Sequence, residues 1–275
     1  MVPPSWNITN VDDIEQIHGY YVMLTTVIFF IGINIAITKL GTPKRVREDP
    51  WRWKNIVISW MHALFCSIWD ISCIVLYPEL LDDLVVNINY FSFLMIPFST
   101  GYFFYDSIDM LINKKLRQNW EVTVHHIAVA SMFWYNFHEK ICVAYNIVAL
   151  TAEINSFFLH SRKLVQMLRI DYNSAFYKLV CILNIVSFMI FRGYSNGRIL
   201  LGMYMDINRV PTSYYIGLTM SMICMTLINV VLFWRLLKSD FLRKRVKQTG
   251  NSNVKPINAE RNMNGDRHMT HTKIE

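Results

Sequence analysis

The chain has 275 residues, 53% apolar and only 17% charged, with 27 Lys and Arg against 20 Asp and Glu, a formal charge of +7. Soluble domains average about 45–50% apolar and about 25% charged. With a mean hydropathy of +0.25 and a pI near 9.1, these values exclude a disordered chain and argue against a soluble nucleic-acid binder. They define an integral membrane protein whose basic residues set its topology.

Residues 1–19 carry Asp12, Asp13 and Glu15 and no basic segment, so they do not read as a secretory signal. They include the sequon Asn7-Ile8-Thr9, an acceptor for glycosylation if it lies outside the cell. Seven mostly apolar windows of the length that crosses hydrocarbon follow, at 20–38, 55–77, 88–112, 121–137, 141–160, 176–200 and 213–237. The first is an uncleaved anchor, and 202–209 reads as a loop. The loops after windows one, three and five and the segment from Arg235 onward hold 23 basic residues. Only Lys140, Arg198 and Arg209 fall on the other side, with Arg192 inside the membrane. The expected architecture is therefore all-α, a multi-pass transmembrane bundle of about seven spans with an outer N-terminus and a cytosolic C-terminus.

Trp51, Trp53, Trp120 and Trp234 fall near the cytosolic span ends and read as interfacial anchors. The five cysteines are scattered through apolar runs with no CxxC, so they read as small buried hydrophobes. The tail from Gln248 is polar and Asn-rich and reads as disordered. Arg243, Lys244 and Arg245, just before it, can attract anionic headgroups. His268 and His271 in the tail carry no expected role.

Charges inside hydrocarbon are costly and face a protein interior or a wet cavity. Asp106 and Asp109 are three apart on one face of window three. His125 and His126 lie in window four. Glu153 lies about two turns from the cytosolic end of window five, with His160 at that end. All five of the first-named residues are expected at similar depth in the cytosolic half. His62 can join them. Asp70 is further out, with Arg192 as an expected partner. A histidine beside a carboxylate can serve acyl transfer as base or nucleophile. The same set can bind a divalent metal, or act as a proton relay or a structural network. Adjacent histidines diverge by about 100° on a helix and there is no HxxxH, which weakens the metal reading.

Five stretches carry a resemblance: Trp51 to Asn55 leading into Ser59 and His62; Gly101 to Asp109; Trp120-Glu121 with the pair His125-His126; Glu153 to Leu159; and Leu236 to Phe241. In that order they resemble the TLC domain family, which includes the ceramide synthases and several non-synthase membrane proteins. The wording is most similar to the branch linked to membrane fluidity and phospholipid acyl composition. The resemblance implies a six-helix TLC barrel open to the cytosolic leaflet, preceded by the anchor helix. It divides the chain into an extracytosolic 1–19, anchor and loop 20–47, TLC domain 48–241 and cytosolic tail 242–275.

The resemblance also implies a His/Asp cavity with His125, His126, Asp106, Asp109 and Glu153 as catalytic candidates. Membrane lipids and fatty acyl chains are the implied partners, with acyl-CoA as a substrate rather than a cofactor; no cofactor or metal is expected. The synthases follow the histidine pair with an His-Asp element, where this chain has Thr151-Ala152-Glu153. The expected function is control of phospholipid acyl composition and membrane fluidity, by acyl transfer or by acyl-lipid binding. The alternatives are a ceramide synthase-like N-acyltransferase and a transporter or channel using the carboxylates; no inverted repeat supports the latter. The plasma membrane is the favoured location and the endoplasmic reticulum the alternative.

Overall fold

Helix starts are set by local chemistry. In the computed structural model, which describes residues 11–239, Asp49 caps α2 (Pro50–Leu76) by accepting from Arg52 N at 3.1 Å, with Pro50 in the first turn. Asn89 and Ser92 form a reciprocal capping box at the start of α3 (Tyr90–Ile112). Ser174 caps α7 (Ala175–Ser187) through Tyr177 N. The other helices are α1 (Gln16–Leu40), α4 (Trp120–Glu139), α5 (Val143–Leu150), α6 (Ala152–Met167), α8 (Gly193–Met205) and α9 (Thr212–Leu237). A π segment, Phe188–Arg192, joins α7 to α8.

Every apolar window became helix, and the described residues contain no strand. The fifth window is α5 and α6, interrupted only at Thr151, whose hydroxyl donates to Val148 O at 2.8 Å. Four helical stretches, Gln16–Leu40, Pro50–Leu76, Ala175–Met205 and Thr212–Leu237, are long and apolar enough on their own to cross a membrane. Large apolar side chains such as Ile17, Leu24, Ile28, Phe176, Leu179 and Ile182 are exposed. Patches of this extent are not found on soluble monomers and are the lipid-facing surface.

Two boundaries differ from the sequence reading. Helix α6 runs on past His160 to Met167, because a helix that leaves the membrane no longer needs apolar residues: Arg162, Lys163 and Gln166 continue it. Glu153 is therefore about four turns from the C-terminal end of the helix, where two were expected. Likewise α8 continues to Met205, so only Asp206–Val210 remains a loop where 202–209 was expected.

The chain divides after Phe233 into two units, and the bundle and its cavity belong to the first. There α1 packs along α3, α2 along α3 and α6, α3 against α4, α6 against α7 and α5 against α8. The α1–α3 seam is tight: a Cβ on Gly101 would lie 2.5 Å from Met23 O and 2.9 Å from Thr26 Cβ. Only Gly19, Thr26 and Phe30 of α1 are buried. Phe30 inserts among Phe98, Tyr102 and Tyr105 of α3 and His62 of α2. The N-terminal end of α1 is clasped by His138, which meets Tyr20 Oη at 2.7 Å. Lys140 adds bonds to the carbonyls of Val11 and Ile14. Three cysteines are buried and two half-buried, all free. The sequon, the basic run Arg243 to Arg245 and the histidines of the tail lie outside the described residues.

Candidate functional site

The polar residues of the membrane interior separate into three groups. The first lies where α3 meets α1, α2 and α4. Asp109 Oδ2 accepts from Trp51 Nε1 at 2.8 Å, and its Oδ1 accepts from Asn34 Nδ2 at 3.1 Å and Asn113 Nδ2 at 3.2 Å. Asp106 Oδ1 accepts from Asn55 Nδ2 at 2.5 Å. Its Oδ2 lies 3.1 Å from His126 Nδ1, at an angle off a hydrogen bond. Both carboxylates are buried; three of their four oxygens accept hydrogen bonds, and Asp106 Oδ2 faces His126 Nδ1 without one. Trp51 is thus more than an interfacial anchor; its indole N–H is committed to Asp109.

The second group centres on His62, fully buried and stacked on Tyr102 with centroids 3.8 Å apart. Its Nε2 meets Ser99 Oγ at 3.2 Å and Cys66 Sγ at 3.1 Å, while Nδ1 lies 3.9 Å from Glu153 Oε2. Tyr102 Oη donates to Ser59 Oγ at 2.9 Å. His62 therefore does join the expected cluster, through Glu153.

The third group lines a partly open cavity between α4, α5, α6, α8 and α9, with Phe103 contributed by α3. Its walls are apolar, with Val129, Phe133, Leu150, Ile199 and Met222 among them. His125, Glu153, Arg192 and Asn229 supply polarity at one end, and Asn136, Asn146 and Tyr214 at the other. His125 Nδ1 meets Met225 Sδ at 2.9 Å. A thioether only accepts, so the neutral ring carries its proton on Nδ1 and keeps a lone pair on Nε2. Arg192 donates through Nε to Asn155 Oδ1 at 2.7 Å, through Nη1 to Asn229 Oδ1 at 2.7 Å and through Nη2 to Ser156 Oγ at 3.0 Å.

The outer rim is tied by charge. Arg209 Nη2 bonds Asp83 Oδ2 at 2.6 Å and Nη1 bonds Asp206 Oδ1 at 2.9 Å. Tyr145 Oη donates to Asp206 Oδ2 at 2.5 Å. The Arg209 bond, helped by the amides of Val85 and Val86, holds the Asp83 carboxyl below its ordinary range.

Of the five expected site residues, His125 and Glu153 line the cavity. Asp106, Asp109 and His126 are bound into the neighbouring cluster instead and are not part of the cavity wall. The two histidines do face different surroundings, as their 100° divergence requires. The expected Arg192–Asp70 pair does not form. Arg192 is held by α6 and α9, and neither oxygen of the fully buried Asp70 has a partner among the described residues. Sequence reasoning placed Arg192 in the membrane without assigning it to the site, and missed Asn155 and Asn229 altogether. Their signal was available: uncharged amides inside spans are also costly without partners. Among the described residues, no three His, Cys, Asp or Glu side chains converge as a metal set.

A bundle of long apolar helices that buries charged and amide groups around an internal cavity is a polytopic membrane protein with a polar-ended cavity among its helices. The TLC domain model matches residues 52–238. TLC domain-containing protein 2 of Danio rerio is 34% identical over 226 residues, 81% of this chain and 91% of that protein. TLC domain-containing protein 1 of Mus musculus is 26% identical over 228 residues, 81% and 90% of the two chains. TLC domain-containing protein 2 of Homo sapiens is 26% identical over 227 residues, 82% and 86%. No solved structure matches. The chain belongs to the TLC domain family.

Proposed function

We propose that this protein binds the acyl chains of lipids in the chamber between α4 and α9, and thereby controls the fatty-acyl composition of membrane phospholipids and membrane fluidity. The carrying observation is the chamber itself. Its walls are apolar with polar groups concentrated at the ends, the pattern of a pocket that takes an amphiphile. From His125 to Asn136 along α4 it extends about 16 Å at 1.5 Å per residue, a length suited to an extended hydrocarbon chain.

Acyl transfer is the second reading, and His125 favours it. This ring lines the chamber with an unbonded Nε2, the state a general base or nucleophile requires. The Asp106–His126 pair is not part of the chamber wall. Ceramide synthase-like chemistry has less support again, since Thr151-Ala152 and not a histidine stands beside Glu153 in the sequence.

Filling the chamber tests the proposal. Cells lacking the protein are rescued with wild type or with Leu218→Trp, and their lipids are profiled beside the protein level. The expected result is normal abundance with loss of the effect on phospholipid acyl chains. Full rescue by the filled variant contradicts the reading, and a change confined to sphingolipids favours the synthase alternative.

A further inference from the structure

Arg192 is a cation with no carboxylate in direct contact among the described residues. Its guanidinium is buried, with 8% of the residue exposed, and an arginine side chain stays charged in proteins. All three of its hydrogen bonds go to neutral acceptors, two amide oxygens and a hydroxyl. No carboxylate among the described residues forms an ion pair with it. Glu153, on the same wall, acts on it at longer range, and its closest ionisable contact is His62 instead. A guanidinium has five N–H donors, so two remain after these bonds. A buried charge of this kind is stable only when paired.

The backbone gives a second, independent observation. Arg192 is the last residue of the π segment Phe188–Arg192. Such segments are rare, and their extra residue re-aims a side chain, often at a functional position. Here the side chain is delivered to the chamber wall. Its guanidinium is steadied by Phe188, whose ring centroid lies 5.7 Å from Cζ. Asn155 is itself fixed by donating to Asn184 O and Ser187 Oγ, both at 3.0 Å. The cation is thus preorganised by two layers of neutral groups, none of which cancels its charge.

We propose that Arg192 anchors the anionic head of the amphiphile whose acyl chain fills the chamber. The shared chemistry of that head is an oxyanion, a carboxylate or a phosphate, that takes the two remaining donors in a charge-assisted pair. This inference rests on the acyl-lipid reading above and adds the head group to it. A neutral lipid alcohol or ester leaves the guanidinium unpaired and binds more weakly.

The test uses the full chain, purified in a neutral detergent, with three photoreactive probes of one chain length: oleate, oleoyl lysophosphatidate and oleyl alcohol. Crosslinks are mapped to peptides of α4, α8 and α9. At least one anionic probe is expected to label the chamber about tenfold more than the alcohol, the ratio of one charge-assisted bond. Competition between unlabelled oleate and lysophosphatidate identifies the carboxylate or the phosphate source. Arg192→Gln should abolish the anionic preference, and Arg192→Lys should keep part of it.

Equal labelling by all three probes in the wild type overturns the inference and leaves the acyl-lipid reading intact. So does an unchanged preference in folded Arg192→Gln. Absence of chamber labelling by every probe overturns both. The wild-type comparison needs no variant, so a misfolded Arg192→Gln does not blunt it.

Discussion

The aspartate cluster and the chamber wall are built from the same kinds of residue and differ in one respect. At Asp106 and Asp109 three of the four carboxylate oxygens accept hydrogen bonds from side chains of α1 and α2, and the fourth lies against His126 of α4. At the chamber, His125 keeps an unbonded nitrogen and Arg192 keeps unused donors, with no carboxylate in direct contact among the described residues. Buried polar groups that satisfy one another hold helices together; those left unsatisfied beside a cavity are available to a ligand. On the proposed reading, the acidic pair among the five sequence candidates serves as the lock, and the lipid site is the chamber.

The largest effects should come from breaking the lock. Asp109→Asn replaces an acceptor with an NH₂ that must face Trp51 Nε1–H or the amide of Asn34, donor against donor. It should cost about 1–3 kcal/mol per group left unpaired, read as lower abundance and a lower thermal midpoint in detergent. An Asp109→Asn protein of wild-type stability removes the distinction between the two regions.

A smaller loss is expected where α1 seats on α3. Gly101→Ala drives a Cβ against the Met23 carbonyl, backbone that cannot swing aside. Overpacking of this kind costs about 1–3 kcal/mol. The same thermal measurement checks it, and the effect on phospholipid acyl chains per folded molecule should be unchanged.

The smallest effect concerns the outer rim. Because Asp83 has a lowered carboxyl pKa in the folded state, its ion pair with Arg209 contributes fully well above pH 3.8. The contribution fades as pH falls through the lowered folded value. Both partners are partly exposed, so the contribution should not exceed about 1 kcal/mol. The acid limb of the stability profile should flatten in Asp83→Asn; an identical limb dismisses the contribution.

How much of this was legible in the sequence depends on range. Hydropathy is local, so α1 to α9 fall where the apolar windows predicted them. The overhangs, such as α6 past His160, are polar turns that hydropathy does not register. The divergence of His125 and His126 follows from helix geometry alone. Which acid met which base did not, because depth along a helix says nothing of the face presented to a neighbour. Asp70 and Arg192 were matched by depth, yet Arg192 turns to Asn155, Ser156 and Asn229, and the π segment that aims it leaves no pattern in the residues Phe188 to Arg192.

The histidine pair offers the most direct measurement of the central claim, that the chamber and not the aspartate cluster acts on lipids. Null cells are rescued separately with His125→Ala and His126→Ala, and phospholipid acyl profiles are normalised to folded protein. His125→Ala should keep near-normal abundance and lose the lipid effect. His126→Ala should lose abundance, through the unpaired Asp106, while each surviving molecule retains its effect. The reverse pattern, with His126→Ala abundant but inactive and His125→Ala fully active, would contradict the account.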